Sequence, residues 1–112
     1  MSIYFIETAA FSSRLAAQRL ESGLRGLQND LIANPLAGDV ERRTGGLRKI
    51  RMRDGQSNKG KRSGARVHYL YLPSHDVIYL IFVYLKNEQA KLTESQKRLL
   101  ASMAERIRAE WG

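Results

Sequence analysis

One stretch in the second half of the chain restricts its possible folds more than any other. Residues 77–84 read VIYLIFVY, which is apolar throughout, so neither side of a strand formed there can face water. A fully apolar strand belongs in the centre of a sheet, with other elements covering both faces. We therefore expect a sheet built around this strand.

The first third of the chain predicts one strand followed by two helices. Residues 3–7 are β-branched and aromatic, which favours a strand. Leucines then recur at helical spacing, and a serine–glycine pair interrupts them, which predicts a hairpin of two helices at 9–21 and 23–33. Asn34-Pro35 ends the second helix, because the residue before a proline disfavours helical backbone. A polar loop to residue 46 should follow.

Three strands and a final helix are predicted after that loop. The strands are 47–53, 65–72 and 77–84, with a glycine-rich basic loop at 54–64 and a turn at 73–76. Thr93 and Gln96 have the spacing of a capping box, which predicts a helix from there to about residue 110. Its apolar stripe consists of Leu99, Leu100, Met103, Ala104, Ile107 and Trp111.

The predicted fold is a single α+β domain over residues 1–112. Its element order is β-α-α-β-β-β-α, with an N-terminal helical hairpin and a C-terminal helix. The three late strands are joined by short links, so they should pair antiparallel and make the sheet mainly antiparallel.

Positive charge is concentrated in one segment, residues 42–66. The segment holds ten Lys or Arg residues and one acid, Asp54, a net charge of +9 against +8 for the whole chain, so the rest carries −1. A neutral body with one basic element is the electrostatic pattern of a polyanion binder, most simply of a nucleic acid. Charge runs are usually solvated faces, but few acids are interleaved here.

The strand at 47–53 should have one apolar and one cationic side. Alternation places Arg48, Ile50 and Met52 on one side and Leu47, Lys49, Arg51 and Arg53 on the other. Glycines in the following loop allow the backbone to approach a phosphate closely. Arginine side chains can hold a phosphate through two parallel hydrogen bonds.

Several residues have both a structural and a functional interpretation. The aromatic residues of the late strands favour a core role, although one or two near the basic loop could stack on a base. His68 favours a partly buried structural role over a catalytic one, and His75 a solvated turn. For Lys86, Asn87 and Glu88, an ordinary loop and a contribution to the basic site are equally supported.

Composition argues against several other classes of protein. The chain has no cysteine and two separated histidines, so we expect neither disulfides nor a metal site. It shows no signal peptide and no apolar run of the ~18 residues that a membrane span needs. We expect a cytoplasmic protein that does not interact with membranes.

Four motifs in combination resemble the HigB branch of the RelE/ParE toxin superfamily. They are TGGLRKIR at 44–51, GKRSGARVHY at 60–69, YLKNE at 84–88 and LT at 92–93. Asn34-Pro35 and the Gly-Asp-Val at 38–40 fit the same family, so the resemblance covers nearly the whole chain. It implies a RelE-like fold, whose element order is the one predicted above.

The resemblance implies the toxin of a type II toxin–antitoxin pair. Such toxins are ribosome-dependent endoribonucleases that enter the ribosomal A site and cut mRNA, inhibiting translation. The implied partners are the ribosome, mRNA and a HigA-like antitoxin with a helix-turn-helix domain. The 2′-hydroxyl of the RNA attacks the adjacent phosphate, so neither a metal nor another cofactor is implied.

The resemblance also implies roles for individual residues. The catalytic set is Lys49, Arg51, Arg66, Lys86 and Asn87. The set that contacts RNA or the ribosome is Arg48, Arg53, Lys59, Lys61 and Arg62. Two alternatives remain open: a non-catalytic RNA-binding module with the same basic face, and a ParE-like gyrase inhibitor on the same fold.

Overall fold

The computed structural model describes residues 2–53 and 64–112, which form an α+β fold with one five-stranded sheet and three α-helices. The strands are β1 (Tyr4–Glu7), β2 (Asp39–Val40), β3 (Arg48–Met52), β4 (Ala65–Leu72) and β5 (Val77–Leu85). The helices are α1 (Ala9–Ala17), α2 (Leu24–Ala33) and α3 (Glu94–Trp111). None of these helices is both long and apolar enough to cross a membrane.

The sheet has the order β1-β5-β4-β3-β2 and is mainly antiparallel, as predicted. β3 pairs antiparallel with β4, and β4 with β5, whereas β1 is parallel to β5. The strand in the middle is β4 rather than β5, which corrects the expected centre. β5 still lies between two strands, so its backbone hydrogen bonds are made on both sides.

Two apolar clusters cover the two faces of the sheet. The cluster beneath α1 and α2 includes Phe11, Leu15, Leu27, Leu31, Val67, Ile78, Leu80 and Val83. The cluster beneath α3 includes Leu47, Leu70, Ile81, Leu100, Ala104 and Ile107. β5 contributes buried side chains to both clusters, so the prediction that this strand is covered on both faces is confirmed.

The first helix ends earlier than the predicted residue 21. Arg19 has a left-handed φ of 57°, and the N–H groups of Arg19 and Leu20 donate to the carbonyls of Ala16 and Leu15. This is a Schellman ending, in which Leu20 packs back into the same core as Leu15. A 3₁₀ turn at Glu21–Gly23 then leads into α2. The packing of α1 and α2 as a hairpin stays a prediction.

The predicted start of α3 is confirmed, but its apolar stripe needs one correction. Thr93 caps the helix, and both hydrogen bonds of the capping box with Gln96 are present. Leu100, Ala104 and Ile107 are buried, at the i, i+4 and i+7 positions of one helix face. Leu99 is 60% exposed, because one residue's rotation of about 100° turns it away from the sheet.

The predicted polar loop at residues 34–46 contains the short strand β2, which the sequence did not reveal. Asp39 pairs with Lys49, and Val40 pairs with Arg48. The buried Tyr69 hydroxyl donates to Pro35 O and accepts from the Gly38 N–H, tying this segment to the core. This docking matters for the site, because β2 leads directly into Glu41.

Candidate nucleic-acid interface

The pairing of β3 with β4 brings four polar side chains together on one face of the sheet. Lys49 lies opposite His68, and Arg51 lies opposite Arg66. The intervening pair, Ile50 and Val67, packs into the cluster under α1 and α2. Because side chains alternate along a strand, the four polar residues lie on the other face, the one that α3 covers in part. We call Lys49, Arg51, Arg66 and His68 the polar face.

Arg51 and Arg66 form a pair that does not favour folding. Like charges directly opposite each other on neighbouring strands are destabilising. Arg51 is exposed and Arg66 is half-buried, and the buried Nη1 atom of Arg66 has no hydrogen-bond partner among residues 2–53 and 64–112. A phosphate would offset the repulsion and accept hydrogen bonds from both guanidinium groups.

Glu41 joins the polar face from the turn between β2 and β3. Its Oε1 lies 3.3 Å from His68 Nε2 and 3.4 Å from Lys49 Nζ, and its Oε2 lies 4.0 Å from Lys97 Nζ on α3. The backbone there is fixed independently of the carboxylate, because the Glu41 N–H donates to Leu47 O and the Thr44 hydroxyl donates to Glu41 O. One carboxylate therefore connects three elements of the fold.

The charge states of Glu41 and His68 follow from their surroundings. Burial raises the pKa of Glu41, but the hydrogen bond from His68 and the charge of Lys49 outweigh it and lower that pKa overall. Burial lowers the pKa of His68, which Glu41 only partly offsets. At neutral pH we infer an ionised Glu41 beside a neutral His68. A carboxylate only accepts, so the imidazole proton resides on Nε2.

Tyr84 closes the inner side of this cluster. Its ring stacks on His68 with centroids 6.1 Å apart and planes inclined by 26°, and its residue pairs with Arg66 across the β4–β5 ladder. Burial raises the pKa of the Tyr84 hydroxyl, the nearby Glu41 raises it further, and Arg66 opposes both. Tyr69 and Tyr84 are buried, whereas Tyr71, Tyr79 and Phe82 are half-buried, so core roles predominate among the aromatic residues.

Lys86 and Asn87 lie at the same end of the sheet as Arg66. Both are exposed in the turn after β5, and the Lys86 N–H donates to Gly64 O at the start of β4. α1 contacts this end of β5 through Arg14, whose Nε donates to Val83 O at 2.6 Å. Gln18, just after α1, donates through its Nε2 to Glu88 Oε1 in the turn after β5, at 2.8 Å.

The structure describes two of the other predicted RNA contacts, Arg48 and Arg53. Arg48 lies on the opposite side of β3, where its Nη1 donates to Gly38 O at 2.7 Å. Arg53 is exposed just after β3 and lines a cavity of about 350 Å³ together with Gly23 and Asp30 of the helical segment. Lys59, Lys61, Arg62 and most of the predicted loop at 54–64 lie outside the described residues.

Sequence reasoning missed the part of the site that depends on tertiary contacts. His68 was expected to be partly buried, and it is fully buried against Glu41, which had been given no role. The one available signal was that Glu41 is an acid directly before a strongly basic segment. Tyr84 was counted among the aromatic residues, without its link to His68.

Among the described residues, no group of three or more His, Asp or Glu side chains is arranged to hold a metal ion. No protein-family model matches the sequence.

Proposed function

We propose that this protein is the toxin of a type II toxin–antitoxin system, of the HigB branch of the RelE/ParE superfamily, and that it is a ribosome-dependent endoribonuclease which cuts mRNA. The observation that carries the proposal is the direct pairing of Arg51 with Arg66, beside Lys49, on adjacent strands. Like-charged pairs oppose folding, so this arrangement is better explained by an anionic ligand than by stability.

The reaction requires little beyond placement and positive charge. The 2′-hydroxyl loses its proton as its oxygen attacks the adjacent phosphorus, the bond to the 5′ oxygen breaks, and that oxygen takes up a proton. The products are a 2′,3′-cyclic phosphate and a 5′-hydroxyl. In the proposal, Arg51 and Arg66 stabilise the charge of the pentavalent phosphoryl group. Strands hold these side chains more rigidly than loops do, which favours a catalytic role.

The other residues are assigned by position. Lys49 lies beside the arginines and takes part in proton transfer at the reacting oxygens. Lys86 and Asn87 orient the RNA at the end of β5. His68 is fully buried with its Nε2 directed at Glu41, so it does not contact the RNA.

The proposed partners are the ribosome, mRNA and a HigA-like antitoxin, all in the cytoplasm. The segment at 42–66 carries a net charge of +9, which favours association with a partner that is acidic or that keeps RNA away from the segment. We propose that the antitoxin neutralises the toxin by covering this segment or by blocking its access to the ribosome. Amide exchange with and without the antitoxin tests this. Protection limited to residues 9–33, in a complex that still enters ribosomes, would contradict it.

Controlled induction in cells tests the proposed activity. Expression of the wild-type chain should arrest growth, and mapped mRNA 5′ ends should appear within translated frames. Arg98→Ala, which changes an exposed arginine on α3, should behave like wild type. Tight RNA binding without new ends would indicate a non-catalytic RNA-binding module. Intact messages with broken chromosomal DNA would indicate a gyrase inhibitor.

A further inference from the structure

Glu41 is an acid at the centre of a site proposed to bind an anion, which calls for an explanation. We propose that Glu41 is a positioning residue: it holds the Lys49 ammonium in place in the RNA-free protein and releases it to an RNA phosphate, while it stays bound to His68. This inference rests on the proposed function of the polar face.

The partners of Glu41 differ in how easily water and ligands reach them. The Lys49 side chain is 39% exposed, that of Glu41 is 19% exposed, and that of His68 is completely buried. Ion pairs near the surface contribute little to stability, so the outer contact with Lys49 is easily exchanged. The inner contact with His68 is not easily exchanged, because removing the acceptor of a buried polar group is costly.

Glu41 remains held when Lys49 moves to a phosphate. Lys97 of α3 is 4.0 Å from its second oxygen and is itself only 15% exposed, and Lys97 is also paired with Glu94. The charged and titratable groups around the carboxylate thus come from three strands and one helix: Lys49, His68, Tyr84 and Lys97. Departure of one of these cations leaves the carboxylate with a hydrogen bond and a second cation.

The side chain of Glu41 can be changed without disturbing the turn. The backbone hydrogen bonds that shape residues 41–47 use the Glu41 N–H and C=O and the Thr44 hydroxyl, not the carboxylate. In Glu41→Gln, the amide oxygen can still accept from His68 Nε2. That variant removes the charge and keeps the shape, so it isolates the role of the carboxylate.

The inference predicts opposite changes in RNA affinity and in cleavage rate. Loss of a negative charge beside the phosphate site should tighten binding by about three- to tenfold. Without this contact, Lys49 is not held in position before RNA binds and no longer moves directly to the phosphate, which should slow single-turnover cleavage by about tenfold or more. Glu41→Asp restores the charge on a shorter side chain, so affinity should return to the wild-type value while cleavage stays slow.

The experiment uses purified full-length protein with ribosomes carrying a defined mRNA. Affinity is measured with an mRNA that has a single 2′-deoxynucleotide at the cleavage position, and the rate is measured with the all-ribose mRNA. Glu94→Gln is the matched control, because Glu94 binds Arg43 and Lys97 but neither Lys49 nor His68. It should change neither quantity by more than about twofold.

The outcomes separate the inference from the proposed function. Tighter binding with slower cleavage in Glu41→Gln, and slow cleavage at normal affinity in Glu41→Asp, would support the inference. Wild-type values for both variants, or faster cleavage by Glu41→Gln, would overturn the inference alone. Absence of cleavage by the wild-type protein would overturn the proposed function and the inference with it.

Discussion

The two faces of the β3–β4 ladder are made by alternating residue pairs of the same two strands and have opposite chemistry. On one face, Ile50 opposes Val67 and Met52 opposes Ala65, and these residues pack into a closed apolar cluster. On the other face, Lys49 opposes His68, and two arginines oppose each other. The first face is stabilised by excluding water, whereas the second combines two like charges with an Arg66 Nη1 atom that has no hydrogen-bond partner among residues 2–53 and 64–112.

This difference separates stability from function within a few residues. Burial of apolar side chains accounts for the first face. It does not account for the second, where Arg66 Nη1 lacks a hydrogen-bond partner among the residues that the structure describes. Local departures of this kind are expected where a ligand supplies the missing interactions. Substitutions on the two faces should therefore have separable effects.

The largest effect on folding should come from the apolar face. Met52 is 1% exposed, so Met52→Ala should lower the free energy of unfolding by about 2–5 kcal/mol, measured by urea denaturation. Cleavage per folded molecule should be unchanged, because Met52 does not reach the polar face. Met103→Ala, at a half-buried position on α3, should cost less. An equal loss of unfolding free energy in Met52→Ala and Met103→Ala would mean that Met52 contributes no more to the core than a half-buried residue.

The opposite pattern is expected at Arg66. Arg66→Ala should reduce cleavage by about 10²–10³-fold, the usual cost of removing one group that stabilises transition-state charge. Its unfolding free energy should change by about 0.5 kcal/mol or less, because no described hydrogen bond of its Nη1 is lost. A folded Arg66→Ala variant with full toxicity would remove Arg66 from the site.

The buried histidine predicts a pH dependence of stability. Because burial lowers the pKa of His68 below its ordinary value of 6.5, the unfolded chain takes up a proton that the folded chain does not. The free energy of unfolding should therefore show no loss from His68 above about pH 6.5, and it should decline as the pH falls below that value. Glu41, whose pKa is also lowered, should add a further loss below about pH 4.5.

Two histidine variants isolate this effect. Denaturant midpoints measured between pH 7.5 and 5.5 should decline for the wild-type protein and for His75→Gln, whose histidine is exposed. His68→Gln should be less stable at neutral pH and should show a weaker decline. A wild-type midpoint that stays constant over this range would contradict the buried, neutral state of His68.

The smallest predicted effect is a gain. Arg51→Gln removes one of two like charges that face each other, so the free energy of unfolding should rise by about 0.2–1 kcal/mol at low salt. The gain should shrink as salt is added, because salt screens exposed charges. Cleavage should fall at the same time. A loss of stability in Arg51→Gln would indicate that the arginine pair contributes to folding after all.

Local rules were sufficient for part of this structure. The capping box at Thr93 and the apolar pattern of residues 77–84 depend only on neighbours in sequence, and both predictions are confirmed. The predicted end of α1 was wrong because Arg19 adopts a left-handed backbone conformation, which nothing in its side chain predicts. The placement of Leu99 in the apolar stripe was wrong, because Leu99 and Leu100 are adjacent and cannot both lie on one narrow face of the helix.

The site was predictable only where alternation within one strand sufficed. Lys49 and Arg51 share a side of β3 for that reason. The contact of Glu41 with His68 spans 27 residues and depends on the β3–β4 register, the strand β2 and the docking of α3. No local pattern encodes such a combination, which is why Glu41 was found only in the structure.

The central claim is that the polar face cuts RNA, and the chemistry of the cut ends tests it most directly. Purified protein should be incubated with ribosomes carrying a defined mRNA, and both new termini should be characterised. The account predicts a 2′,3′-cyclic phosphate on one fragment and a 5′-hydroxyl on the other, formed by the wild-type protein and lost in Arg66→Ala. Intact mRNA, or identical cleavage by both proteins, would contradict it.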